Sequence, residues 1–394
     1  TIACASCHQQ AFAFSDPLTS SVGLNGGNTG RHSMRLVNSR FSNEEKFFWD
    51  ERATSLENQV TQPIQDHIEM GFSGTNGDPD FNELIAKLSA IDYYQTLFDF
   101  AYGNSTINED KIQRALSQFI RSIQSFDSKF DEGFLQSPNL NAPFPNYTPQ
   151  ENLGKQLFLN PPPNGGAGCA GCHAPPEFDI DPNTLNNGVI GVIGSTTEVD
   201  LTNTRSPSLR DLVNPDGSLN GPLMHDGSMT SLLQVINHYN SIPNNPANNN
   251  LDNRLQGPGN QTQQLNLTIN EKSALEAFLK TLSGSDIYTN EKWSDPFDEE
   301  GNISIVGGQL SINENSFEKS ITVFPNPVET DMSIQLETGN YTTLIYNLQG
   351  KILYKKKIFG NESLNLQILT KGIYLLLIKD NESSKVFKKR FIKL

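Results

Sequence analysis

The sequence predicts a mainly α protein of two helical halves, followed by a small all-β domain of the immunoglobulin-like sandwich type. Three observations carry this expectation. Before residue 298, apolar residues recur at helical spacing behind N-terminal capping patterns. A five-residue pattern, Cys-x-x-Cys-His, occurs twice, at Cys4–His8 and Cys169–His173. Beyond about residue 319 the apolar period changes to alternation, the pattern of short strands.

Taken in order, the first motif is followed by a Gly/Asn/Ser-rich loop, 20–34, and residues 81–100 read as one helix or two. Thr106 and Glu109 form a capping-box pattern ahead of Ile112, Ala115, Leu116, Phe119, Ile120, Ile123 and Phe126, which fall on one helical face. Residues 136–147 are rich in Pro and Asn and read as a linker. Thr148 and Glu151 form a second box, with Pro149 at the first helical position, and this helix leads into the second motif. The first motif has no such leading helix and begins at the fourth residue, so the N-terminus reads as cut or processed. Residues 241–266 read as a long surface loop. Thr268 and Glu271 cap a helix carrying Leu275, Phe278, Leu279 and Leu282, with Gly284 just past its end. The expected division is 1–140, 141–298, a polar linker over 299–318, and a β-domain over 319–394 with a hairpin turn at Leu348–Lys351.

The formal net charge is −15, which argues against nucleic-acid binding. The charge is uneven: residues 316–394 carry 12 Lys+Arg against 7 Asp+Glu, a net of +5, and residues 1–315 carry a net of −20. Every Cys, His and Trp lies before residue 294, so the tail is compositionally a separate object. No apolar run is long enough to be a membrane-spanning helix.

Cys-x-x-Cys-His is the attachment signature of a c-type haem. Cys4 and Cys7, then Cys169 and Cys172, would bond the vinyl groups, while His8 and His173 bind iron from the proximal side. The two motifs use all four cysteines. A zinc site would need those cysteines gathered together, and redox-active pairs do not call for a histidine after each second cysteine. Two covalent haem c groups are therefore expected, and with them export, because such attachment is completed outside the cytoplasm. What fills each iron's other axial position decides function. For the second haem the candidate is Met224, on a Gly/Pro-flanked turn, with His225 a rival. For the first, His32 and His67 are the nearest candidates, and an open site would leave Glu69 placed for proton transfer to peroxide.

Residues 1–297 resemble the bacterial dihaem cytochrome c peroxidases. The resemblance runs through Cys4–His8, Phe48-Trp49-Asp50-Glu51-Arg52-Ala53, Gln59, Ile68-Glu69-Met70, Cys169–His173, Arg205-Ser206-Pro207-Ser208-Leu209-Arg210, Met224-His225-Asp226-Gly227 and His238-Tyr239-Asn240, in order. It implies two cytochrome c-like haem domains. The first haem is the peroxide site, with Glu69 as acid–base group and Gln59 as distal glutamine. The second is a high-potential His173/Met224 haem that receives electrons, with Trp49 between the two. It implies hydrogen peroxide as substrate and a small cytochrome c or copper protein as donor, and it allows a homodimer.

Three departures stand out. Leu24 occupies the position of the displaceable distal histidine found in many relatives. The family's interdomain calcium would take backbone carbonyls of Arg205 and Pro207, yet His32 stands at the asparagine position, and imidazole suits this hard cation poorly. Relatives that oxidise tryptophans in a partner protein have tyrosine where this chain has Met224.

The tail resembles the C-terminal sorting domain of the type IX secretion system, through Phe324-Pro325-Asn326-Pro327, Ile345–Lys351, Leu369–Tyr374 and the basic Lys388-Lys389-Arg390. It implies the type IX secretion machinery as partner and a periplasmic, cell-surface or extracellular location. The function expected is a secreted cytochrome c peroxidase. The rivals are a dihaem oxidase acting on a protein or organic substrate through a ferryl haem, and a pure electron-transfer cytochrome.

Overall fold

The computed structural model describes residues 2–42, 46–180, 184–298, 301, 303, 321–346, 352–382 and 386–394. It forms two compact units, Thr1–Ile303 and Ser304–Leu394. The expected hairpin turn at Leu348–Lys351 and nearly all of the 299–318 linker lie outside the described residues.

The first unit holds eight α-helices among the described residues: α1 Leu56–Val60, α2 Phe81–Ser89, α3 Asp92–Tyr102, α4 Glu109–Ser122, α5 Lys129–Gln136, α6 Pro149–Leu159, α7 Leu232–Asn240 and α8 Ile269–Lys280. A minimal antiparallel pair, β1 His173–Ala174 and β2 Asp179–Ile180, follows the second motif. Long irregular segments separate the helices, and residues 184–231 contain none. The unit is thus less helical than "mainly α" anticipates, because much of its chain wraps the sites rather than building a bundle.

Local chemistry explains most helix starts. Thr148 caps α6 and Thr268 caps α8, each by a complete capping box with Glu151 and Glu271. At α4 the expected box is replaced. Asn108, not Thr106, is the cap, its side chain accepting from the Lys111 N–H. Glu109 is drawn away instead, its carboxylate accepting from Thr61 and Gln65. Helices α6 and α8 cross closely at Gly154, where an added Cβ would lie 1.9 Å from the Ala274 carbonyl oxygen. Around that crossing Phe130, Phe144, Tyr147, Phe158, Phe178 and Phe278 build the main core. A smaller core joins the N-terminal segment to the end of the unit through Phe14, Val37, Ile123, Ile287 and Trp293.

Among the described residues the second unit has seven strands: β3 Thr322–Phe324, β4 Asp331–Gln335, β5 Asn340–Tyr346, β6 Ile352–Phe359, β7 Glu362–Asn365, β8 Gly372–Asp380 and β9 Val386–Lys393. They form two antiparallel sheets, ordered β3-β4-β7 and β6-β5-β8-β9. Inward residues of both sheets, Met332, Ile334 and Leu364 on one and Ile345, Leu376 and Phe391 on the other, share one buried core.

Candidate functional site

Each motif folds as one tight 3-10 turn, Cys4–Ser6 and Cys169–Gly171, which brings its two thiols and its histidine together. Burial pushes the Cys169 thiol up to about 12 and raises Cys4 and Cys7 as well. Burial disfavours the thiolate at all three. No group of three or more metal-ligating side chains occurs among the described residues.

The two histidines are held alike. His8 Nδ1 lies 3.0 Å from the Phe14 carbonyl oxygen, and His173 Nδ1 lies 3.3 Å from that of Phe178. A carbonyl only accepts, so Nδ1 carries the proton and the Nε2 lone pair is left for a metal. Burial depresses both imidazoles, His173 to about 4, which keeps them neutral. Phe14 and Phe178 are both buried and both left-handed, with φ of 58° and 56°. That conformation turns each carbonyl back toward its histidine, and it is costly enough for a bulky residue to mark a built feature.

A cavity of about 400 Å³ opens beside the second motif. Cys169, Cys172 and His173 line it with Met224, Trp49 and Tyr239, and its walls are otherwise largely aliphatic. Met224 is buried at φ 72°, on the turn expected from its Gly/Pro neighbours. Arg35 also lines the cavity, and its buried Nε has no hydrogen-bond partner. Two thiols, a neutral imidazole, a thioether, an apolar wall and an arginine with an unpaired Nε–H fit a haem with its acidic propionates.

Trp49 donates its indole N–H to the His32 carbonyl oxygen at 2.7 Å, and its ring lies 6.3 Å from that of His225. His225 is buried at the edge of Asp200, 3.7 Å away. His32 is also buried. Its Nδ1 faces the Leu18 carbonyl at 3.0 Å and its Nε2 the Ser15 hydroxyl at 3.3 Å, so both ring nitrogens are committed. The side chain at position 32 therefore offers calcium no oxygen, and the His32 carbonyl accepts from Trp49. The Arg205 N–H bonds the Trp49 carbonyl, and Arg205 and Pro207 both line the second cavity. His67 is on the surface, paired with Asp78 at 2.7 Å.

Near the first motif, the Gly-rich loop docks on the segment that carries Glu69. The Leu24 N–H donates to the Glu69 carbonyl at 2.8 Å, and the Leu24 side chain packs on Gly71. Asp66 accepts from the Ile68 and Glu69 N–H groups and fixes the turn. Glu69 lines a polar cavity of about 310 Å³ with Arg52, Gln62, Pro63, Gln65 and Asp66. Burial lifts its carboxyl above the usual glutamate range, with Asp66 adding to the effect and Arg52 opposing it. Its charge is felt at Cys7, behind burial and Asp16 in weight. Gln59 is half-buried on α1 and is not among that cavity's walls, where Gln62 and Gln65 stand.

Residues 1–138 match the family model of the di-haem cytochrome c peroxidases, and 322–393 match that of the secretion system C-terminal sorting domain. Methylamine utilization protein MauG of Methylophilus methylotrophus is 30% identical over 292 residues, covering 72% of this chain and 77% of the relative. The chain belongs to the di-haem cytochrome c peroxidase family. Another relative in this family, cytochrome c551 peroxidase of Nitrosomonas europaea, is 27% identical, covering 72% of this chain and 74% of its own length. A solved MauG-like protein associated with microbial copper homeostasis superposes with a TM-score of 0.59 at 27% identity, over 75% of this chain and 87% of that one. The dihaem family binds two c-type haems and carries peroxidase and oxidase chemistry, so this chain is an oxidoreductase with two covalent haems. Its sorting domain marks an exported protein addressed to the type IX secretion system.

Proposed function

We propose that the chain is a cytochrome c peroxidase, reducing hydrogen peroxide to two waters with two electrons and two protons. The observation that carries this reading is Met224 in the same cavity as His173 and the second pair of thiols. A thioether opposite an imidazole makes a high-potential electron acceptor. When bound, the haems supply the iron that accepts electrons and cleaves the O–O bond.

The chain's own residues supply the rest. Glu69 takes a proton from peroxide and returns it to the leaving oxygen, a task that its raised pKa and its place on the wall of the polar cavity suit. Gln59 would hold the substrate from α1, with Gln62 and Gln65 better placed in the polar cavity. Leu24 cannot bind iron, and its backbone bond to Glu69 holds the distal segment assembled. With His32 committed to Leu18 and Ser15, and His67 to Asp78, neither imidazole is offered to the first haem, whose second face would then be left to peroxide. Trp49, fixed by His32, offers an indole path for electrons from the second cavity. The −20 net charge of residues 1–315 suits a donor with a basic patch, a small cytochrome c or copper protein.

The test is the potential of the second haem. Met224→His should lower it substantially, because a second imidazole favours Fe(III) more than a thioether does. An unchanged potential removes Met224 from the ligand set. Similarity to MauG at 30% identity favours a second reading, an oxidase acting on a protein or organic substrate. Peroxide turnover that requires such a substrate, without oxidising a reduced cytochrome, would select it. We further propose haem domains over 1–140 and 141–298 and an immunoglobulin-like sandwich for the β unit.

A further inference from the structure

The Met224 sulfur has a partner. Asn187 Nδ2 donates to it at 3.7 Å, within range for a sulfur acceptor, and lies 3.4 Å from the Tyr239 hydroxyl. The amide orientation follows from its other end, since Asn187 Oδ1 accepts the Val189 N–H at 3.0 Å and must be the oxygen. The backbone is fixed too. His238 Nε2 donates to the Asn187 carbonyl at 2.9 Å. The preceding residue, Asn186, is wholly buried, and its side chain bonds the carbonyls of Thr202 and Asp200 and the amide of Asn248. A rigid segment thus presents one N–H group to the sulfur of a flexible side chain.

We propose that Asn187 is a positioning residue that holds the Met224 thioether by an N–H···S hydrogen bond and thereby raises the potential of the second haem. This rests on Met224 being that haem's ligand. A thioether sulfur has two lone pairs. The amide takes one and leaves the other for iron, which fixes which way an unbranched, three-rotor side chain points. The same bond withdraws electron density from the sulfur. A poorer donor stabilises Fe(III) less than Fe(II), so the potential rises. Asn187 is neutral, so no charge effect competes.

The test uses the full-length, haem-loaded protein and two variants. Asn187→Leu removes both amide groups, and the neutral Asn187→Ser keeps a hydroxyl acceptor for the Val189 N–H and withdraws the donor from the sulfur. The thioether-to-iron charge-transfer band and the midpoint potential are read for each. The band should persist in both variants. At fixed ambient potential the Fe(II)/Fe(III) ratio of the second haem should fall by about three- to tenfold, which is about 30–60 mV at 59 mV per tenfold. If Asn187→Leu fails to load haem, Asn187→Ser alone gives the reading. A band retained with an unchanged potential overturns the proposal while leaving Met224 as ligand. A band lost in both variants shows Asn187 to be merely structural, and overturns it as well. Absence of the band in the unaltered protein removes Met224 itself, and this proposal with it.

Discussion

Glu69 and Met224 do different work, and single substitutions separate them. Glu69→Gln should leave the spectrum of both haems in place yet slow peroxide cleavage by about 10²–10⁴-fold, the usual contribution of a placed acid–base group, read by stopped-flow. Gln59→Ala should cost less, because a neutral hydrogen bond is worth only about 1 kcal/mol. The pH profile gives a second reading. Burial raises the Glu69 pKa, so the basic carboxylate is lost as pH falls through a value above the ordinary glutamate range. Peroxide reactivity should fall on acidification through that value, and the limb should disappear in Glu69→Gln. The two haem motifs are legible because their chemistry is local and covalent, and the Met224 turn because Gly and Pro flank it. The carbonyls that orient His8 and His173 were not, since nothing about phenylalanine announces a left-handed backbone. The only written signal is that Phe14 and Phe178 follow their histidines at nearly the same distance. Asn187 was missed because its partner is 37 residues away along the chain.

At the scale of elements, the Gly-rich loop and the Glu69 turn act as one clasp. An added Cβ at Gly71 would lie 2.3 Å from Leu24 Cδ2, and Gly71 has φ +72°. Gly71→Ala should therefore displace Leu24 and the Glu69 turn, slowing the peroxide reaction while the second haem's potential stays put. Adding Leu24→Ala should restore part of the rate, the clash being relieved and the backbone cost remaining. At the α6–α8 crossing, Gly154→Ala meets backbone rather than a flexible side chain. It should cost about 1–3 kcal/mol of stability, seen as a lowered Tm. The capping boxes of α6 and α8 were legible because cap and partner lie three residues apart. The start of α4 was not, because Thr61 and Gln65 claim Glu109 from elsewhere in the fold.

For the whole molecule, the switch of period and the reversal of charge near residue 316 marked a separate β unit, and both are additive properties of sequence that need no fold to be read. The long helix-free stretch 184–231 was not legible, because its order comes from buried side chains such as Asn186 and Arg210 bonding distant backbone. Removing 319–394 should leave haem content and peroxide reactivity intact and leave the protein in the periplasm, read by fractionation and haem staining. Loss of activity in purified, haem-loaded truncated protein would contradict a purely addressing role for the tail. The most direct test of the central claim is an electron count on the purified, fully oxidised, haem-loaded protein, mixed with hydrogen peroxide and an excess of a reduced small cytochrome c. Reaction without prior reduction is expected, with two cytochromes oxidised for each peroxide consumed. Peroxide consumed only with a protein or organic substrate present, and no cytochrome oxidised, would contradict it.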